Sequence, residues 1–197
     1  MSISRQAIFS GKRPYEFASS IDNTGREETA WHEFWAADHL TRREVLYWKE
    51  CDSEENLAEF MTAVSQKEPK VVGVVVGTVD EIAHGMRLGE PGLKQQVRQW
   101  SDRRYIYRMV KFLLEHSYSV VLGSDHGNME AKGCGRLSEG VLAGMRGERV
   151  RVYPTELSCV EAATRSPGAS AWHPVGLPQS FYPLIAPYSR AFVKEQD

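Results

Sequence analysis

The sequence predicts an α/β fold in which a mostly parallel sheet is flanked by helices. Lys70 to Asp80 reads K-V-V-G-V-V-V-G-T-V-D, an apolar, β-branched run of the kind found in strands buried on both faces of a parallel sheet. Ser119 to Ser124, S-V-V-L-G-S, is a second such run. Between them Val97, Trp100, Ile106, Met109, Val110, Leu113 and Leu114 recur along one long amphipathic helix. Strand, crossover helix and strand put both strand C-termini on one edge.

The remaining elements follow in order. Ile8 and Phe9 lie on the apolar side of an opening helix that ends at Gly11, with Pro14 beyond. Ser19 to Arg26 reads as loop. Trp31, Phe34, Trp35 and Leu40 space out an amphipathic helix from Glu27 to about Arg42, and Val45 to Trp48 reads as a short strand. Ser53 followed by Glu54, Glu55 and Asn56 resembles a helix start, with acidic residues where the helix dipole favours them. Leu57, Phe60, Met61 and Val64 supply that helix's buried stripe. Gly127 to Gly147 is a glycine-rich, irregular stretch flanking the site. Arg149 to Tyr153 alternates as a half-exposed strand, with Arg149 and Arg151 on one face, either a solvated face or a phosphate contact, the first being the commoner case, and Leu157 to Thr164 reads as a short helix. From Pro167 to Pro187 the chain reads as loop, with a packing segment through Phe192.

Composition narrows the function. A chain of 197 residues, 42% hydrophobic and 25% charged, is expected to form one globular domain over residues 1–197. With 24 Lys+Arg against 26 Asp+Glu and a net charge of -2, it has no basic field for non-specific nucleic-acid binding, so a phosphate-bearing ligand needs a local site. Cys51, Cys134 and Cys159 are odd in number and lack C-x-x-C spacing, which argues against a disulfide framework or thiolate metal site and for a reducing compartment. Met1 to Pro14 has no apolar signal core, and Val71 to Val79 is about half a membrane-spanning length. The expectation is a soluble, cytoplasmic protein without a membrane partner.

Chemistry concentrates after the two apolar runs. Asp80 and His84 are four residues apart, so one turn of helix or a tight loop lets both face one ion, and Asp125 and His126 are adjacent at the end of the next run. Ligands of open parallel sheets bind outside the carboxyl ends of the strands. Alone, Asp80 also reads as a helix N-cap, and S-D-H-G as a polar turn. The pairs together make a first shell of carboxylate and imidazole, suited to zinc or manganese. His32, His39 and His116 have no second ligand at helical spacing and read as surface or interface residues. Cys134 has no partner base to make it a nucleophile.

V-D-E-I-A-H ending at His84, a crossover helix, then V-V-L-G-S-D-H-G-N-M-E-A-K-G-C-G-R ending at Arg136 resemble the alkaline phosphatase superfamily. The opening S-I-S-R-Q-A-I-F-S-G-K-R-P, the Asn128 to Gly135 continuation and E-R-V-R-V-Y ending at Tyr153 are similar to its PglZ domains, so the resemblance covers nearly the whole chain. It implies part of an alkaline-phosphatase-like core and metal-dependent hydrolysis of phosphate esters by a hydroxyl nucleophile, with up to two divalent ions. Asp80 and His84 would serve one ion, and Asp125 and His126 the other. Lys132 and Arg136 are the candidates for substrate charge. The implied partners are a phosphate-ester or nucleotide substrate and, in phage-defence systems of the BREX type or in signalling, other defence proteins.

Relative to that family the chain is expected to be truncated at both ends. The hydroxyl and an earlier strand aspartate fall at or before Met1, and a late histidine ligand falls beyond Asp197. His173, in Trp172-His173-Pro174, either substitutes for that histidine or caps a loop. The alternative to a phosphoester hydrolase is therefore a degenerate, non-catalytic binding or assembly module.

Overall fold

The computed structural model describes residues 2–23, 25–85, 89–137 and 145–194. It contains two compact units, one of Met1–Gly11 with Asp22–His126 and one of Lys12–Ile21 with Gly127–Asp197.

In the first unit α1 (Ser2–Ser10) stops at Gly11, whose φ of +65° suits glycine and whose missing Cβ leaves room for the Phe34 ring. Phe9 is buried edge-on against Trp31 and Tyr47, at 5.4 and 5.3 Å between ring centres. Ile8, expected beside it, is 56% exposed, because neighbouring helical residues point about 100° apart. α2 (Glu27–Ala36) ends a turn earlier than the aromatic spacing suggests, its last carbonyls taken up by the Ala37 amide. At its start Glu27 is buried and accepts hydrogen bonds from Arg5 at 2.5 Å and from the Tyr47 hydroxyl at 2.8 Å. Burial first, and this carboxylate second, raise the Tyr47 hydroxyl well above its usual pKa.

β1 (Val45–Lys49), α3 (Glu54–Lys67) and β2 (Val71–Val75) form a βαβ unit with parallel register from Val45↔Val71 to Lys49↔Val75. Ser53 caps α3 by accepting from the Asn56 amide at 3.1 Å. Leu57, Phe60 and Val64 are the helix's buried stripe; they pack with Leu46, Cys51, Tyr105, Met109 and Leu113 into one core. Burial there pushes the Cys51 thiol up to about 11. Gly73 is required at the middle of β2: an added Cβ would come within 2.8 Å of the Trp31 indole.

β2 ends at Val75, and α4 (Thr78–Gly85) begins before Asp80, so Asp80 stands in the first turn of a helix rather than at a strand end. The single long helix expected next is two, α5 (Gly89–Ser101) and α6 (Tyr105–Glu115). They break at Asp102-Arg103-Arg104, three charged residues with nothing to bury, where Arg104 takes φ 60°.

The strand expected at Ser119 to Ser124 is not hydrogen-bonded into a sheet: among the described residues β2 pairs with β1 alone. Val121 and Leu122 are 92% and 71% exposed, while Tyr118 and Val120 rest on the core. A β-branched run sets the propensity for a strand, but pairing is tertiary and decides the outcome.

The second unit contains a 3-10 helix (Pro14–Ser20), β3 (Lys132–Gly133), β4 (Met145–Arg146), β5 (Val150–Tyr153), α7 (Glu156–Thr164), β6 (Ser170–Ala171), β7 (Tyr182–Ile185) and β8 (Arg190–Ala191). β3 pairs with β8 in parallel; β4-β5-β7-β6 is antiparallel. β7 lies in the stretch expected to be loop; its Leu184 and the following Ala186 are buried with Tyr153, Cys159, Ala162 and Phe192. Arg151, expected on a solvated face, is buried; it donates to the Phe192 carbonyl at 3.0 Å and lies over that residue's ring.

Helices and small sheets together are compatible with an α/β class. The sheet is not mostly parallel, since the largest described one is antiparallel. No described helix is long and apolar enough to cross a membrane.

Candidate metal centre

The four residues singled out after the apolar runs come together within the first unit. α4 carries Asp80 and His84 one turn apart, and His84 Nε2 is 3.4 Å from Asp80 Oδ2. The other oxygen of the same carboxylate, Oδ1, is 3.8 Å from His126 Nε2, which is in turn 3.7 Å from Asp125 Oδ2. Asp80 thus stands between the two histidines with one oxygen toward each. Asp80, Asp125 and His126 are partly shielded, at 26%, 26% and 31% side-chain exposure, and His84 is open at 76%.

Local chemistry explains the placement. Ending β2 at Val75 leaves Gly77 and Thr78 to turn the chain into α4, so the first acidic residue falls in the first turn, where the helix dipole favours a carboxylate. On the other side the Ser124 hydroxyl donates to the His126 carbonyl, folding S-D-H into a tight turn that holds Asp125 and His126 toward Asp80. The central position of Asp80 depends on a contact spanning more than forty residues, for which local spacing gives no signal.

The donor types, carboxylate and imidazole, are ones that divalent ions take, but their arrangement does not form a site. Zinc bonds of about 2.0–2.1 Å to nitrogen and oxygen in a tetrahedron set neighbouring donors about 3.3–3.4 Å apart. The 3.4 Å pair matches that edge, and the 3.7 and 3.8 Å pairs exceed it slightly. The contacts are Asp80 with His84, Asp80 with His126, and His126 with Asp125. Among the described residues, however, no group of three or more His, Cys, Asp or Glu is gathered closely enough to hold an ion as it stands. Pairwise spacing suits a metal, but the three-ligand locus is short of closure.

The remaining candidates lie in the second unit. Lys132 is exposed on β3, opposite Arg190 in the register, and Arg136 is exposed two residues after Cys134. Arg149, set aside by its alternation, donates from Nε to the Arg190 carbonyl at 3.1 Å, so it belongs to the same neighbourhood as Lys132. His173 stacks on Tyr182 with ring centres 4.6 Å apart, its Nε2 3.4 Å from the Pro178 carbonyl.

The family described as the BREX system PglZ alkaline phosphatase-like domain matches residues 1–196, and the chain belongs to that family. The family is phosphoesterase-like and related to BREX systems, and alkaline phosphatase-like proteins generally use divalent metals. No curated protein matches the chain.

Proposed function

We propose that the chain is a divalent-metal phosphoester hydrolase domain, a phosphodiesterase or phosphatase of the alkaline phosphatase superfamily. The observation that carries this reading is the convergence of Asp80, His84, Asp125 and His126 on one another, together with the family match over residues 1–196. Asp80 and His84 hold one ion and Asp125 and His126 the other, with Asp80 between them. Zinc is the first expectation and manganese the second, on the donor chemistry. Bound ions at such a centre would neutralise charge developing on the phosphoryl oxygens. Among the chain's own groups Asp80 faces both histidines, and Lys132 and Arg136 are candidates for an anionic ligand on their charge alone. We assign no nucleophilic side chain.

The substrate class is a phosphate ester, including nucleotides, and the setting is phage defence with partner proteins of such a system, or signalling. A cytoplasmic location is supported by the three free cysteines.

Hydrolysis of an aryl phosphodiester with added zinc or manganese tests the reading. The full chain should turn the ester over, and His126→Ala should lose at least about 100-fold, since even an outer-shell partner of a metal ligand carries 10–100-fold. Equal background rates in both proteins would overturn hydrolysis. A second reading, a non-catalytic binding or assembly module, is favoured by the lack of a closed three-ligand group among the described residues. Calorimetry separates the two: uptake of two zinc equivalents at submicromolar affinity would count against it.

A further inference from the structure

We propose that Lys132, Arg149 and Arg190, all in the second unit, form a binding site for a phosphate group. The site needs neither a metal ion nor turnover, so it is independent of the hydrolase reading.

Backbone pairing gathers the three cations. β3 and β8 run parallel with Lys132 opposite Arg190, and such partners lie on strands about 4.8 Å apart with their side chains on the same face. The ladder continues past both strands: the Lys132, Cys134 and Gly135 amides donate to the Ser189, Ala191 and Val193 carbonyls at 2.9, 2.9 and 3.0 Å. Gly133 permits this close approach, because an added Cβ would collide with the Lys194 carbonyl. Arg149 reaches the same strand from β5's start, its Nε donating to the Arg190 carbonyl at 3.1 Å and its Nη1 to the Met129 sulfur. Arg190 Nη1 in turn donates to the Gly133 carbonyl at 3.5 Å.

The charge so gathered is not compensated. The acceptors of Arg149 and Arg190 are carbonyls and a thioether, all neutral. Among the described residues every ion pair lies in the first unit, and none involves Lys132, Arg149 or Arg190. Glu130 and Glu148, acids close by in sequence, are exposed and pair with none of the three. Like charges opposite one another in a sheet repel, and an anion between them turns that repulsion into attraction. Lys132 and Arg190 are exposed and Arg149 half-buried, so a ligand reaches them from solvent. One Arg fork satisfies a carboxylate, whereas three cations from three segments suit the higher charge and third oxygen of a phosphate group.

Calorimetric titration of the full chain with inorganic phosphate, in EDTA and at low salt, tests the site. One saturable equivalent is expected, weakened at least about tenfold in Lys132→Gln and in Arg190→Gln, the scale of one lost charge-assisted hydrogen bond. Both side chains are exposed, so the circular dichroism of these variants should match the parent's. Lys132→Arg, which keeps the charge, should bind nearer the parent than Lys132→Gln does. Lys67→Gln removes the same charge from the end of α3 in the first unit and should bind as the parent does. Adenosine monophosphate as a second titrant separates the sources: tighter binding than inorganic phosphate assigns the site to a phosphate ester, and equal binding to the free ion. Absence of a saturable equivalent, equal weakening by Lys67→Gln, or parent-like affinity in both Lys132→Gln and Arg190→Gln overturns the site.

Discussion

Asp80→Asn is expected to weaken zinc binding by at least about 100-fold and to remove any metal-dependent phosphoesterase activity, while the protein stays folded. Among the described residues Asp80 faces both His84 and His126, at 3.4 and 3.8 Å, so on the proposed reading its charge would serve both ions. Changing a group that merely orients a metal ligand costs 10–100-fold, and a shared ligand should exceed that range. Asparagine keeps the shape and removes the charge. Asp80 is 26% exposed and lies outside the buried core, so little stability depends on it. Zinc titration by calorimetry with circular dichroism as the folding control reads this outcome. Parent-like affinity in Asp80→Asn would mean that zinc binds elsewhere.

Phe60→Ala carries the largest expected loss of stability, about 3–5 kcal/mol. Phe60 is fully buried on α3, between Trp48 at 5.8 Å and Phe112 at 6.5 Å between ring centres, both edge-on. Truncation leaves a cavity under the sheet that positions α4, and the rings flanking it cannot collapse inward without breaking their own contacts. Against a typical total of about 5–15 kcal/mol, the loss should bring the first unit close to unfolding near room temperature. Urea denaturation followed by tryptophan fluorescence measures it. A loss below about 1 kcal/mol would show that this core does not set the stability of the unit.

Local signals in the sequence located most elements. Ser53 with its acidic followers marked the start of α3, and the spacing of Leu57, Phe60 and Val64 marked its buried face. Val71 to Val75 was legible as a strand because a β-branched run has few other uses. The failures share one cause, dependence on distant partners. Ser119 to Ser124 has the composition of a strand and no pairing, and Tyr182 to Ile185 has a proline and little periodicity yet pairs along its length with β5. Arg151 was assigned to the wrong side because its burial is set by Phe192, 41 residues along the chain.

The candidate residues were legible for a different reason. Asp80 and His84 could be paired from helical spacing alone, and Asp125 and His126 from adjacency. Their joining into one cluster could not be read from spacing, since it depends on a contact between residues more than forty apart. The recruitment of Arg149 to the neighbourhood of Lys132 was equally hidden, because a backbone carbonyl contributed by β8 creates it.

The most direct test of the central claim is an anomalous difference map at the zinc edge from crystals of the full chain grown with zinc. The account predicts a peak about 2.0–2.2 Å from an Asp80 carboxylate oxygen and from His126 Nε2. A second peak is predicted beside His84. Zinc found only at residues other than Asp80, His84, Asp125 and His126, with these four still facing one another and carrying no peak, would contradict it.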